Sequence, residues 1–319
     1  MTAFKKIKIS FAQSNQRIDK FLADFCPEKS RAKWQKMIKN KKILINNKEI
    51  KADYILKEGE DINIFQEPVT SFKEERSHKI PDLEIIYEDR DVIVLNKPAG
   101  ILSQNAESSK SPSISDFLLK HCPEIKNVGE SEMRFGVAHR LDKDTSGVII
   151  TAKNNYAFEF LKDQFKNRKT QKVYLALVHG DIKPKKDEIN FRIGRSKTNP
   201  NMQTAIDTKK KENIKAREAL TVYKTIQTYK NYSLLEVALK TGRMHQIRVH
   251  LKAIGYPIVG DQKYFFKKYK NKNSKLHRQF LHAKELGITL PNGKMAKFKA
   301  KLPNDLENFL NQLKSESIG

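Results

Sequence analysis

The stretch His139-Arg140-Leu141-Asp142-Lys143-Asp144-Thr145-Ser146-Gly147 puts four charged residues, a histidine, two hydroxyls and a glycine directly before the apolar run Val148 to Ala152. Carboxylates so placed can ligate a metal, attack as a nucleophile or act as a base. A calcium loop starting at Asp142 would accept Asp144, Ser146 and Gly147. Its twelfth position requires a bidentate carboxylate, and Lys153 stands there. An aspartyl-phosphatase loop carries its nucleophile at the end of an apolar strand and needs paired carboxylates for magnesium further on. Here His139-Arg140 precede the Asp, and no such pair follows. A nucleophilic Ser146 finds no supporting His/Asp pattern.

A second chemical cluster is Thr241-Gly242-Arg243-Met244-His245-Gln246-Ile247-Arg248-Val249-His250-Leu251. Met244, Ile247, Leu251 and Ile254 recur at helical spacing and are expected to face the core, with Arg243, Gln246 and His250 together on another side. His245 and His250 have no spaced Cys or acidic third ligand. They read as hydrogen-bonding or phosphate-facing groups, and no metal is expected.

These segments resemble the RluA-type pseudouridine synthases. His-Arg-Leu-Asp-x-x-Thr-Ser-Gly, residues 139–147, matches the family signature without a mismatch. Tyr87-Glu88-Asp89 with Val94-Leu95-Asn96-Lys97-Pro98-Ala99-Gly100 resembles the first family motif, and Lys172-Val173-Tyr174-Leu175-Ala176 the tyrosine strand. Residues 241–251 resemble the helix motif. Pro257-Ile258-Val259-Gly260-Asp261 and Leu281-His282-Ala283 follow in the expected order. The likeness spans roughly residues 83–313. One departure is Ser103-Gln104-Asn105-Ala106, where many relatives carry a His-Pro-Gly-like segment.

The resemblance implies conversion of uridine to pseudouridine in RNA. The base detaches from the anomeric ribose carbon, turns, and reattaches through ring carbon five. No redox change or external group is involved, so no cofactor is expected. It further implies Asp142 as the catalytic carboxylate, as nucleophile or base. The target uridine is extruded from the RNA. Arg140 takes the space it leaves, and Tyr174 stacks on the uracil. Arg243 is expected to pair with Asp142, since a nearby cation favours the ionised carboxylate. Gln246 joins the substrate site, Arg248 the RNA contacts. Thr145, Ser146 and Gly147 set the loop geometry, and Asp144 is a solvated loop residue.

Two groups of elements must position these residues. In the first, Ile18, Phe21, Leu22 and Phe25 mark a short amphipathic helix ended by Pro27. Ser30 would cap a second helix, residues 31–39, with Trp34, Met37 and Ile38 on one face. Ile43-Leu44-Ile45, the turn Asn46-Asn47-Lys48 and Glu49-Ile50 form a hairpin, and a last strand covers residues 61–65. This unit, residues 14–66, resembles the alpha-L RNA-binding fold of a small-subunit ribosomal protein, carried by Arg17 to Leu22, Ser30-Arg31 and Ile43 to Asn46. Polar residues 67–80 read as a linker. Within 81–313, strands are expected over 83–87, 92–95, 148–152, 172–178, 219–225 and 232–239, and helices over 113–121, 155–169 and 305–313. Strands outnumber helices without alternating with them. The fold class is therefore α+β, a small RNA-binding domain followed by a catalytic domain on a mixed, mainly antiparallel sheet.

Composition agrees with an RNA partner. The 319 residues carry 62 Lys and Arg against 37 Asp and Glu, a formal charge of +25. Such an excess attracts polyanions. Residues 29–48 hold eight basic residues and no acid, and residues 237–284 hold twelve against Asp261 alone. Arg17, Arg31, Lys33, Lys36, Lys39 and Lys41 are expected to track phosphates. The Lys-rich stretch 267–278 reads as a mobile, phosphate-contacting insertion. No apolar run is long enough to cross a membrane, the first residues do not form a secretion signal, and Cys26 and Cys122 cannot build a disulfide scaffold. These features lead us to expect a cytoplasmic monomer whose partner is RNA, with large-subunit ribosomal RNA as the first expectation and transfer RNA as the second. A non-catalytic ribosome-assembly protein would be expected to lack one or more of Asp142, Tyr174 and Arg243.

Overall fold

The computed structural model describes residues 5–26, 31–65, 82–105, 111–129, 135–207, 215–269 and 276–315; in the second helix the side chains at 32, 33 and 36 are excluded. Ser30 and the expected linker therefore lie outside the described residues, as do the side chains of Lys33 and Lys36. The described residues fall into two compact units, 5–65 and 82–315.

The first unit comprises β1 (Lys5–Lys8), α1 (Ile18–Phe25), α2 (Arg31–Lys39), β2 (Ile43–Ile45), β3 (Lys48–Glu49) and β4 (Asp61–Ile64). Ile18, Phe21 and Leu22 on α1 and Trp34, Met37 and Ile38 on α2 are buried in one core, as their spacing requires. The strands form an antiparallel sheet in the order β1-β4-β2-β3. β1 precedes the expected start at residue 14. Its alternating Lys and Ile, with Ile7 and Ile9 buried, is a two-residue period hidden in a basic run. The β2–β3 turn is Asn46-Asn47 alone, with φ of 47° and 63°, a conformation asparagine tolerates in tight hairpins.

One buried carboxylate organises the two helices. Asp19 accepts from Arg17 Nε at 3.0 Å, Arg31 Nη2 at 3.0 Å and Gln35 Nε2 at 2.6 Å. Burial alone would raise its pKa, but these donors hold it far below the usual carboxylate range. Arg17 and Arg31, expected at phosphates, thus commit N–H groups inside the unit, because a buried carboxylate must be paired. Each side chain keeps about half its surface exposed, 45% and 51%. Lys39 is exposed, and Lys41 pairs with Glu49 at 2.8 Å. The run that is free of acids in sequence is partly neutralised in space by acids from outside it.

The second unit contains β5 (Glu84–Glu88), β6 (Val92–Lys97), α3 (Ile114–His121), β7 (Ser146–Ala152), α4 (Asn155–Lys166), β8 (Gln171–His179), β9 (Lys186–Ile189), β10 (Arg192–Arg195), β11 (Gln203–Ile206), β12 (Ala216–Arg217), β13 (Thr221–Tyr229), β14 (Tyr232–Leu239), α5 (Gln246–Ala253), β15 (Leu281–Thr289), β16 (Met295–Lys299) and α6 (Asn304–Ser315). Nine strands form one sheet in the order β5-β6-β7-β15-β8-β14-β13-β9, with β16 beside β15. Only the β7–β15 pair is parallel, so the mixed, mainly antiparallel sheet is as expected. Val92 to Leu95, Val148 to Ile150 and Ala176 to Val178 are buried residue after residue, which marks a sheet centre covered on both faces. A small separate sheet, β11-β10-β12, was not expected. Its strands are two to four residues long and polar. Among the described residues no helix is long and apolar enough to cross a membrane.

Candidate active site

The loop before β7 is fastened from several sides. Lys97, at the end of β6, is fully buried, and its Nζ donates to the carbonyls of Pro98, Ile101 and Lys143 at 2.8–2.9 Å. Burial pushes this ammonium down to about 7, against the pull of Asp144 and Asp142. Gly100 N–H also donates to Lys143 O. Ser103 Oγ accepts from Leu141 N–H at 2.9 Å and donates to Leu141 O at 2.8 Å, so the segment that departs from the family pattern holds the residue before Asp142. Arg278 joins Asp305 of α6 in a two-pronged ion pair and reaches Asp144 O at 3.2 Å. Arg278, expected in a mobile insertion, is thus a structural tie. Lys267 to Tyr269 form a short 3-10 turn, and residues 270–275 lie outside the described residues.

The loop enters β7 through Gly147 at φ +118°. A Cβ there would stand 2.2 Å from Ala283 O, so the close parallel pairing with β15 requires glycine. Ser146 Oγ meets His282 Nδ1 at 3.0 Å, and His282 Nε2 meets Ala300 O at 3.2 Å. That histidine is oriented by a carbonyl and buried with Ser146, which fits a structural role and not a nucleophile's.

Asp142 pairs with Arg248, and not with Arg243. Arg248 Nη1 donates to Asp142 Oδ2 at 2.9 Å, while its Nε and Nη2 grip Asp261 at 2.7 and 2.8 Å. Arg248 is buried and lies over the Tyr264 ring, 5.1 Å from its centroid. The expectation that it contacts RNA is corrected: its donors are turned inward to two carboxylates. Burial would raise the Asp261 pKa, but the bonds and charge of Arg248, with N–H donors from Tyr264 and Lys263, keep it lowered. The physical reason for the exchange of arginines is the helix start. α5 begins at Gln246, and His245 adopts the left-handed conformation at φ 58°, so helical spacing does not extend back to 243. Arg243 turns away and donates from Nε to Glu218 O at 3.0 Å. Met244 is exposed for the same reason.

Gln246, expected at the substrate, borders the same cavity but spends its amide inside the fold. Its amide accepts from Thr241 Oγ1 and Arg243 N–H and donates to Leu220 O and Thr221 Oγ1. Buried and fully paired, it ties α5 to β13 and has no donor to offer a substrate. His250 is equally internal, between Thr221 Oγ1 and Phe191 O. His245 is different. Its Nε2 stands 3.9 Å from Asp142 Oδ1, and its Nδ1 meets Tyr264 Oη at 2.8 Å. Tyr264 Oη also accepts from Gln203 N–H, so the tyrosine fixes the orientation of the His245 ring beside Asp142.

These groups share a cavity of about 480 Å³, the size range of small-ligand sites. Asp142, Tyr174, Arg248 and His245 line it, with Arg140, Lys166, Arg168, Lys172 and Arg243 also on its wall. Tyr174 is buried, and burial, with the Asp142 charge, raises its hydroxyl above the ordinary range. Arg140 is exposed. His139 accepts from Ile150 N–H through Nε2 and stacks on Phe165, 4.2 Å between ring centres.

Burial lowers four histidines of this unit: His139 to about 3, His250 to about 4, and His245 and His282 in the same direction. The unfolded chain takes up these protons near pH 6.5, the folded chain at lower pH, well below it for His139 and His250. Stability is therefore complete above pH 7 and is lost as pH falls through 6 toward 4. Each fully buried histidine is expected to contribute a slope of about 1 kcal/mol per pH unit there. Urea unfolding of the second unit at pH 7.5, 6.5 and 5.5 should show steadily falling midpoints; a flat profile refutes the assignment.

A basic cavity that could hold a nucleotide, with one carboxylate bonded to a buried arginine, in a chain that also carries a helix-pair and hairpin unit, fits an enzyme that acts on RNA. Residues 91–253 match the RNA pseudouridylate synthase family and residues 16–62 the S4 domain. The chain belongs to the RNA pseudouridylate synthase family, with an N-terminal S4 RNA-binding domain, and is an isomerase converting uridine to pseudouridine in RNA. It is 35% identical over 309 residues to the uncharacterized RNA pseudouridine synthase YlyB of Bacillus subtilis, covering 97% of each chain. It is 38% identical over 269 residues to ribosomal large subunit pseudouridine synthase D of Borreliella burgdorferi, covering 83% of this chain and 78% of that one. The solved structure of human RNA pseudouridylate synthase domain containing 4 is similar at a TM-score of 0.58 and 25% identity, covering 72% of this chain and 92% of that one.

Proposed function

We propose that the enzyme isomerises uridines of large-subunit ribosomal RNA, in the cytoplasm, with Asp142 as the reacting carboxylate and the target base flipped into the cavity. One observation carries the assignment of Asp142: its carboxylate lines the cavity with Oδ2 held by Arg248, while Oδ1 accepts no hydrogen bond from the described residues. An oriented carboxylate with one free oxygen is equipped to act as nucleophile or base. The bond from ribose C1′ to N1 breaks, the bond from C1′ to C5 forms, and the proton on C5 is replaced by one on N1. The atoms balance within the substrate. Uridine in folded RNA cannot reach Asp142 without leaving its stack, which supports flipping. In this reading Tyr174 supplies a face for the extruded uracil, and Arg140, exposed and on the cavity wall, fills the gap.

The ribosomal target rests on relatives named for the large ribosomal subunit, including those of Borreliella burgdorferi and Neisseria meningitidis. Pseudouridine mapping of total RNA from cells with and without the protein tests it. Sites in large-subunit ribosomal RNA are expected to disappear. Loss confined to transfer RNA would overturn the target and keep the chemistry.

A further inference from the structure

We propose that Arg168, Lys172 and Arg243 form a clamp for one phosphodiester of the RNA strand beside the flipped nucleotide. The proposal deepens the reading of this cavity as a uridine site and rests on it.

Arg168 occupies an unusual backbone position. α4 ends at Lys166, Asn167 closes it, and Arg168 follows at φ 58°. Arg168 N–H bonds to Phe165 O at 3.3 Å and Lys169 N–H to Gln164 O at 2.9 Å. This is the Schellman ending, whose left-handed residue is ordinarily glycine because a Cβ is strained there. An arginine in that place is held against backbone preference. The end of α2 offers a contrast. Lys41 takes the same conformation at φ 59°, with the same bonding, but there the lysine has a local partner in Glu49. Among the described residues no carboxylate makes an ion pair with Arg168.

The surroundings of Arg168 are cationic as well. Arg168, Lys172 and Arg243 line the same cavity. The Lys172 ammonium lies 3.6 Å from where a Cβ on Gly242 would stand, beside the turn that leads to Arg243. Arg243 is anchored through Nε on Glu218 O, which leaves its two terminal nitrogens for a ligand. The cations oppose one another. Burial and then the charge of Arg168 push Lys172 down to about 8, and burial, then Arg168 and Arg217, lower Arg243, with Glu218 opposing only in part. Cations gathered on one cavity wall gain from an anion that bridges them. Guanidinium forks fit phosphate oxygens in two-pronged fashion, and an RNA strand entering the cavity brings phosphates with it.

Arg168→Gly tests the clamp, because it removes the guanidinium and relieves the backbone at once. Two measurements are made: isomerisation of total RNA from cells lacking the protein, and anisotropy binding of a short single-stranded RNA over a range of salt. The expected results are a KM and a Kd raised about tenfold, with kcat far less affected. The slope of log Kd against log salt should fall by about 0.7, one single-strand phosphate contact. The melting temperature should equal or exceed that of the wild type, and Arg168→Lys should restore the salt slope. Unchanged Kd and slope in Arg168→Gly overturn the clamp, as does a lost affinity that Arg168→Lys does not restore. If the wild type forms no pseudouridine on that RNA, the uridine-site reading itself fails, and the binding series still judges the clamp.

Discussion

Asp142→Asn is expected to lower pseudouridine formation by at least about 10³-fold while RNA affinity stays within about twofold of the wild type. Asparagine has nearly the same shape, and its amide oxygen can still accept from Arg248 Nη1. Arg248 also keeps Asp261, which it grips with two bonds, so no buried charge is left without a partner. Fold and cavity should therefore survive, and what disappears is the negative oxygen that can attack or take a proton. Affinity is expected to come from elsewhere, from exposed basic groups such as Arg140, Arg168 and Lys39. Pseudouridine-specific chemical mapping with filter binding on the same RNA separates the two effects. Full activity in the variant would falsify the role of Asp142. Equal loss of activity and binding would instead mean that the substitution had damaged the site's structure.

The loop that carries Asp142 is legible in the sequence because its residues are contiguous. Nine residues from His139 to Gly147 carry their meaning locally, and Gly147 is required by a contact distance that no other residue meets. The partner of Asp142 is not legible in the same way. A 3.6-residue period assumes a helix, and nothing in the letters Met244-His245-Gln246 announces a left-handed histidine that restarts it. That single φ exchanges the roles of Arg243 and Arg248. Lys97 escapes sequence reasoning because lysine is normally exposed. Its signal is its place in Asn96-Lys97-Pro98-Ala99-Gly100, where a chain turning sharply leaves carbonyls that need a donor. The strands β10 to β12 lack the apolar alternation that marks a strand, and their order comes from Tyr264, Val249 and Ile193 packing together from distant parts of the chain. Sheet class and most long strands are legible, since continuous apolar runs such as Val92 to Leu95 can be buried in few other ways.

Arg248 should be the most stability-sensitive residue of the site, and the comparison with Arg243 makes the claim sharp. Arg248→Met strands two carboxylates, Asp142 and Asp261, on a buried wall where one guanidinium had served both. Breaking a buried ion pair in this way costs about 3–5 kcal/mol. In the wild type the contribution of Asp261 is present above about pH 4 and is lost as acid protonates it, so the deficit of the variant should be largest near neutral pH. Arg248→Lys keeps one charge but lacks the planar fork. It can satisfy Asp261 or Asp142, and a carboxylate released from its geometry should lose about 10²-fold in kcat. Arg243→Met forfeits a bond to one carbonyl, that of Glu218, and a cation at the cavity wall. Its unfolding midpoint should stay near that of the wild type while RNA affinity falls. Urea unfolding of the three variants at pH 7.5, with KM and kcat measured separately, tests the division. If Arg243→Met unfolds as easily as Arg248→Met, Arg248 is not the residue that holds Asp142 in place.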